Sequence, residues 1–178
     1  MPTARGPVRV FIATSLNGFI AGPGDDLSWL PEGGGEDHGY DDFMAEIGAV
    51  LMGRTTYDVV LGMDGPWPFG DTPVFIATSR PLEPVVSTVR AVAGEPEQIL
   101  AAVRGVVTAG GIYVDGGALI RQFLAAGLID DLTVTIVPVI LGTGTPLFAG
   151  LPERHRLTLT GSQSYGSGLV TLKYLPAS

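Results

Sequence analysis

The sequence of 178 residues predicts an α/β fold, a mixed and mostly parallel central sheet with helices on both faces and antiparallel C-terminal strands. Two observations carry this. From Val8 to Leu124, short apolar runs of strand length alternate with segments whose apolar residues recur at helical spacing. From Leu132 onward only strand-like runs remain, the pattern of an antiparallel closure. A third observation favours one unit over two. The 26 glycines and 14 prolines are dispersed between the apolar runs, and no linker or break in composition divides them. Residues 1–178 therefore read as a single domain, with 1–7 expected to be a flexible tail.

Val8–Thr14 is apolar enough for a buried first strand, and a glycine- and proline-rich loop follows from about Gly22 to Gly35. Glu36–Ile47 reads as a helix, because Tyr40, Phe43, Met44 and Ile47 share one face. Ala49–Met52 is a second strand, Thr56–Leu61 a short helix, Pro73–Ala77 a third strand and Val89–Val92 a fourth. Glu95 and Glu97 flank Pro96 at the start of the next helix, where proline and acids are both favoured, and Ile99, Leu100 and Val103 form its apolar face. After the strand Gly111–Asp115, Gly116 and Gly117 open a helix carrying Leu119, Ile120, Phe123 and Leu124, which Gly127 stops. The closing strands are Leu132–Val137, Arg156–Ser162 and Leu169–Tyr174.

A hydrophobic fraction of 46% against 16% charged residues argues for a packed core and against disorder. A net charge of −8 makes nucleic acid or an anionic membrane surface an unfavourable partner. No apolar tract reaches the length of a membrane span, and the N-terminal residues lack the apolar core of a signal peptide. The absence of cysteine removes disulfides and thiolate–metal sites, and it fits a cytoplasmic protein. Two distant histidines, His38 and His155, make a zinc site improbable and read as surface residues.

Three segments share one form, in which an apolar strand ends in small or hydroxylated residues. They are Gly53-Arg54-Thr55-Thr56, Thr78-Ser79-Arg80 and Asp115-Gly116-Gly117-Ala118. Two of them lead into helices, whose first N–H groups are ready-made anion donors, and ligands of open α/β sheets bind at the carboxyl ends of strands. One glycine after a strand is commonplace, but three such ends, two with arginine, suit a ligand with several phosphates. Neither a Gly-x-Gly-x-x-Gly dinucleotide fingerprint nor a Walker-type Gly-Lys-Ser/Thr is present.

FIATSLNGFIA, VLMGRTTYD, FIATSR, VDGGALIRQFL and LTVTIVPVILGTGTPLF follow one another in an order and spacing that resemble the dihydrofolate reductase-like superfamily. Within it, the chain is similar to the reductase domain of riboflavin-biosynthesis deaminase-reductases, from Val8 to Tyr174. The resemblance implies an NADPH-dependent reductase that transfers hydride to a C=N or C=O group of a small heterocycle. It implies that Gly53, Arg54, Thr55 and Thr56, together with Asp115, Gly116, Gly117, Ala118 and Leu119, hold the pyrophosphate. Thr78, Ser79 and Arg80 would grip the adenosine 2′-phosphate beside Arg54, and Ala13 and Ile20 would line the nicotinamide site. A homodimer is the assembly the resemblance implies.

On the substrate side, the resemblance implies an acid on the first helix paired with Thr135. Asp37 falls near the right place when counted back from Met52, and Asp41 lies one turn along the same face. Two departures bear on the substrate. Phe69-Gly70-Asp71-Thr72 stands where folate enzymes carry an arginine. Between Arg9 and Arg54 there is no Lys or Arg, while eight acids crowd the same stretch, so an anionic substrate tail has nothing to hold it there. Genuine dihydrofolate or riboflavin-pathway reduction, and NADP(H) binding without catalysis, are the alternatives. Trp29 and Trp67 read as residues pinning loops, and Gly142–Phe148 as a structural turn.

Overall fold

The computed structural model describes residues 5–31 and 36–177. Residues 1–4 of the expected tail and 32–35 of the expected loop lie outside these described residues. Pro7 is already tied down, its carbonyl accepting the Ile112 N–H at 2.8 Å.

The chain runs β1 (Val8–Ser15), β2 (Phe19–Ala21), a 3₁₀ turn (Pro23–Asp25), α1 (Tyr40–Ala45), β3 (Ile47–Gly53), α2 (Arg54–Leu61), β4 (Val74–Ala77) and β5 (Val89–Val92). It continues through α3 (Pro96–Val106), β6 (Gly111–Asp115), α4 (Gly117–Ala125), β7 (Asp131–Val137), β8 (Thr145–Pro146), β9 (Leu157–Ser164) and β10 (Val170–Pro176). Eight strands form one sheet in the order β5-β4-β3-β6-β1-β7-β10-β9. The strands from β5 to β7 pair in parallel, and β10 and β9 add antiparallel at the far end. The mixed, mostly parallel sheet with an antiparallel closure is the one the sequence predicts.

Helices cover both faces. On one, Ile99, Leu100 and Val103 of α3 and Leu119, Ile120 and Phe123 of α4 pack on Val8, Val10, Leu51, Ile112 and Val114. On the other, Phe43 of α1 and Tyr57 of α2 pack on Val50, Met52, Val74, Ile76 and Tyr113. The central strands are buried on both sides, which is why they read as unbroken apolar runs rather than alternating ones. Among the described residues, no helix is long and apolar enough to cross a membrane.

Three points differ from expectation. The helix placed at Glu36–Ile47 begins only at Tyr40, because Gly39 turns the chain through a left-handed conformation (φ 86°), and Ile47 already belongs to β3, paired with Gly111. The two-stranded ribbon of β2 and β8 was not foreseen. His38, expected at the surface, is half-buried with its ring edge-on to Tyr165 at 4.7 Å.

Candidate active site

β3 and β6 are neighbours at the middle of the sheet, and the chain leaves them in opposite directions. From β3 it passes through α2 to β4 and β5; from β6 it passes through α4 to β7, beyond β1. Diverging connections open a crevice at the carboxyl ends of two parallel strands, the usual seat of a ligand in such sheets. Met52 pairs with Asp115 at this end, so Gly53 and Gly116 enter α2 and α4 side by side.

The approach is close. Gly116 adopts φ 96°, a conformation that favours glycine, and a Cβ there would collide with the Thr56 hydroxyl and lie 3.8 Å from the Gly53 nitrogen. Neither α2 nor α4 has a side-chain cap on its N-cap position or an acid in its first turn. The unpaired N–H groups of two helices, each at the positive end of its dipole, therefore meet in one crevice.

The other expected residues surround it. Arg54 donates from Nε to Asp58 Oδ1 at 2.9 Å and from Nη1 to the Pro81 carbonyl at 3.1 Å, which lays it against the turn after β4. In that turn the Arg80 N–H donates to Thr78 Oγ1 at 3.1 Å, and Ser79 and Arg80 are exposed. Thr55 and Ala118 are exposed in the first turns of α2 and α4. Ala13 is part-buried near the end of β1, and Ile20, on β2, lies over Gly117, its Cδ1 2.7 Å from where a Cβ would stand. Leu119 is only 4% exposed and packs in the core, so its backbone, and not its side chain, is what it can offer a ligand.

Asp115 has a second property that spacing did not reveal. Side chains alternate along β6, so Asp115 shares the α1 face with Tyr113. Burial raises its carboxyl to about 6, against the opposing hydrogen bond from the Gly116 N–H. The Gly116 N–H donates to Oδ1 at 2.8 Å. The Tyr113 hydroxyl donates to the Phe11 carbonyl at 2.9 Å. Tyr40 is pushed up to about 12, first by burial and then by the charges of Asp115 and Asp41. Phe11, Phe43 and Tyr113 complete an aromatic wall, with ring centroids 4.9 Å and 5.0 Å apart for the pairs Phe11–Phe43 and Phe43–Tyr113.

The expected acid–threonine pair is not joined in the structure. Asp37 is exposed, and its Oδ1 accepts the N–H groups of Gly39 and Tyr40, both at 3.0 Å, so it serves the start of α1. Thr135 is 4% exposed and its hydroxyl bonds Thr171 Oγ1 at 2.8 Å. No hydrogen bond joins Asp37 to Thr135 among the described residues. Asp41 is exposed in the first turn of α1. Sequence order also hid a cation. A groove of about 480 Å³ between α1 and the β9–β10 hairpin is lined by Phe11, Phe43, Thr133, Thr171, Arg9 and Lys173. Arg9 is held by Asp131, at 2.9 Å, and by Glu46, whereas Lys173 makes no ion pair among the described residues.

The class defined by this sheet order and crevice is an open α/β domain with a ligand crevice at the carboxyl ends of its central strands. Residues 7–171 match the RibD C-terminal domain family, and the chain belongs to it. It is 33% identical to the uncharacterized protein YwjB of Bacillus subtilis (strain 168), over 94% of this chain and 97% of that one. A crystal structure of a Shewanella sp. PV-4 protein, provisionally named a riboflavin biosynthesis protein, superposes with a TM-score of 0.87 at 32% identity and covers 97% of this chain and 99% of the other. A Thermotoga maritima protein named a diaminohydroxyphosphoribosylaminopyrimidine deaminase/5-amino-6-(5-phosphoribosylamino)uracil reductase shares the fold, with a TM-score of 0.72 at 16% identity, over 97% of this chain and 57% of its own length.

Proposed function

We propose that the protein is an NADPH-dependent reductase that delivers hydride to a C=N or C=O carbon of a small, heterocyclic substrate. The observation that carries the reading is the meeting of two uncapped, acid-free helix N-termini at the divergence of β3 and β6. The free amide donors of two acid-free first turns are not needed to start a helix; they suit a pyrophosphate. Family membership supports the same reading, since the matched family is the RibD C-terminal domain and a deaminase/uracil reductase shares its fold.

NADPH, when bound, supplies the hydride; the chain supplies binding, orientation and the proton. Gly53–Thr56 and Gly116–Ala118 would hold the pyrophosphate by backbone N–H groups, Arg54 with Thr78, Ser79 and Arg80 would take the 2′-phosphate, and Ala13 and Ile20 would border the nicotinamide. Hydride reaching carbon leaves a negative nitrogen or oxygen that must take a proton. Asp115, rather than Asp37, is the group assigned to it, because burial raises its carboxyl to about 6, so that it still carries its proton part of the time near neutral pH, and it stands on the rim of the same crevice. This acid also weighs against the reading of a nucleotide-binding protein without catalysis.

NADPH oxidation with a panel of pyrimidines, pterins and carbonyl compounds tests the proposal; turnover of none of them, alongside tight NADPH binding, would favour the non-catalytic reading. Dihydrofolate and the deaminated ribosylaminopyrimidine phosphate are expected to be poor substrates, with kcat/KM below about 10⁴ M⁻¹s⁻¹. Arg54 and Arg80 are assigned to the cofactor, which leaves Lys173 as the side chain whose participation would reverse that expectation. A homodimer belongs to the same proposal: Leu157 and Leu159 on β9, with Leu16 and Phe148 nearby in the fold, leave apolar side chains 38–61% exposed. Sedimentation of the purified protein decides the assembly.

A further inference from the structure

Arg121 sits one turn into α4, where a cation is electrostatically misplaced. The N-terminus of a helix is its positive end, and Arg121 has no carboxylate partner among the described residues. Helical side chains lean toward the N-terminus, so residue 121 covers residue 117. The Arg121 Nη1 stands 3.1 Å from where a Cβ on Gly117 would be. From there Nη1 donates to two successive carbonyls, Pro146 at 2.8 Å and Leu147 at 3.1 Å.

The first of those carbonyls belongs to the ribbon of β2 and β8, and the second follows it directly. Phe19 pairs with Pro146 and Ala21 with Thr145, and the Leu147 N–H donates to the Gly18 carbonyl at 2.9 Å. The ribbon is short, with only three residues in β2 and two in β8, and its register shifts between Phe19 and Ala21. Few backbone hydrogen bonds hold it, so attachment to a neighbouring element matters. Ile20, at the middle of β2, sits over Gly117 in the same place as the guanidinium.

Resting on the NADPH reading above, we propose that Arg121 is a positioning residue. It straps the β2–β8 ribbon to the start of α4 and so fixes Ile20, the residue assigned to the nicotinamide, relative to the amides assigned to the pyrophosphate. Two parts of one cofactor are thereby held in register by a side chain that touches neither. A guanidinium suits this because its planar fork reaches adjacent carbonyls while its charge stays close to a site built for anions.

The test uses the intact protein, Arg121→Met, which keeps the aliphatic packing, and Arg121→Lys. Without nucleotide, amide hydrogen exchange across Phe19–Ala21 and at Leu147 should accelerate at least tenfold in Arg121→Met, exchange at Phe123 and Leu124 should not change, and Arg121→Lys should restore part of the protection. Unchanged exchange in the ribbon would overturn the strap. Calorimetry then compares NADPH with 2′-phospho-ADP-ribose, which lacks only the nicotinamide. Arg121→Met should bind the fragment within threefold of wild type, while the ratio of NADPH affinity to fragment affinity falls at least fivefold. An equal loss for both ligands would make Arg121 a phosphate ligand, and an unchanged ratio would separate the ribbon from the nicotinamide; either overturns the positioning role. The wild-type titration reads the underlying assignment by itself. If wild type binds neither compound, the cofactor reading fails and takes the positioning role with it, while the exchange data still decide the strap.

Discussion

At the start of α3, Glu95 and Gln98 form a reciprocal capping box, and Pro96 and Glu97 occupy the first turn. At the start of α1, Asp37 takes two backbone N–H groups and Asp41 and Asp42 follow. Both helices thus satisfy their free amides and offset their dipoles with their own side chains. α2 and α4 do neither, although they are as regular and as well packed: Gly53 and Gly116 precede them, and their first turns hold only Arg, Thr, Tyr, Gly, Ala, Leu and Ile. All four helices belong to one fold, so the difference is not a matter of stability alone. The caps are missing where the two starts face each other across the crevice, the place where an external anion would serve instead.

The largest effect should come from giving α4 the acid it lacks. Gly117→Asp places a carboxylate at the amides assigned to phosphate, and its Cβ meets mainly the flexible ends of Ile20 and Arg121, which can give way. NADPH affinity should fall about a hundredfold or more by calorimetry, while the Tm of the free protein should hold or rise, because an acid favours a helix start. Loss of fold instead of loss of binding would mean that the glycine is there for packing.

Asp115 stands at the same crevice but is held against its charge. Its carboxyl has a folded-state pKa near 6 against an ordinary 3.8, so the native state binds this proton more tightly than the unfolded chain does. The stability it contributes is full below about pH 4 and is lost as pH rises through about 6, a difference on the order of 2–3 kcal/mol. Asp115→Asn should flatten that dependence, making the variant the more stable protein at pH 8 by denaturant melts. With a competent substrate, wild-type turnover should decline above about pH 6 and the variant should lose this limb. A wild-type stability curve that does not fall across this window would contradict the burial of an ionisable acid here.

A smaller effect separates the two nucleotides. Charge-assisted bonds are worth about 1.5–3 kcal/mol each, so NADPH should bind at least about tenfold more tightly than NADH. Arg80→Ala should remove most of that preference with little effect on NADH. The smallest belongs to the capped side of the comparison: Glu95→Ala should cost about 0.5–2 kcal/mol of stability and leave NADPH affinity unchanged.

Much of this organisation was legible in the residues. The buried parallel strands announce themselves as apolar runs, and Gly53-Arg54 and Gly116-Gly117 mark strand ends by composition. What stayed hidden depends on contacts distant in sequence. β2 and β8 are too short for periodicity to register, and their pairing joins Phe19–Ala21 to Thr145–Pro146 across the chain. Asp37 matched an expected position by counting, but Gly39 turns the chain there and the carboxylate is spent on local amides. The raised carboxyl of Asp115 reflects its burial in the folded chain, which its own neighbours in sequence do not report. Lys173 reaches the groove only because β10 pairs with β7 and β9.

The most direct measurement is an NADPH titration followed by residue-resolved amide NMR. The account predicts saturable binding in which the N–H signals of Thr55, Thr56, Ala118 and Leu119 shift together, while those of Ile99 and Leu100 in the capped helix stay in place. No saturable binding, or shifts at α3 equal to those at α2 and α4, would contradict it.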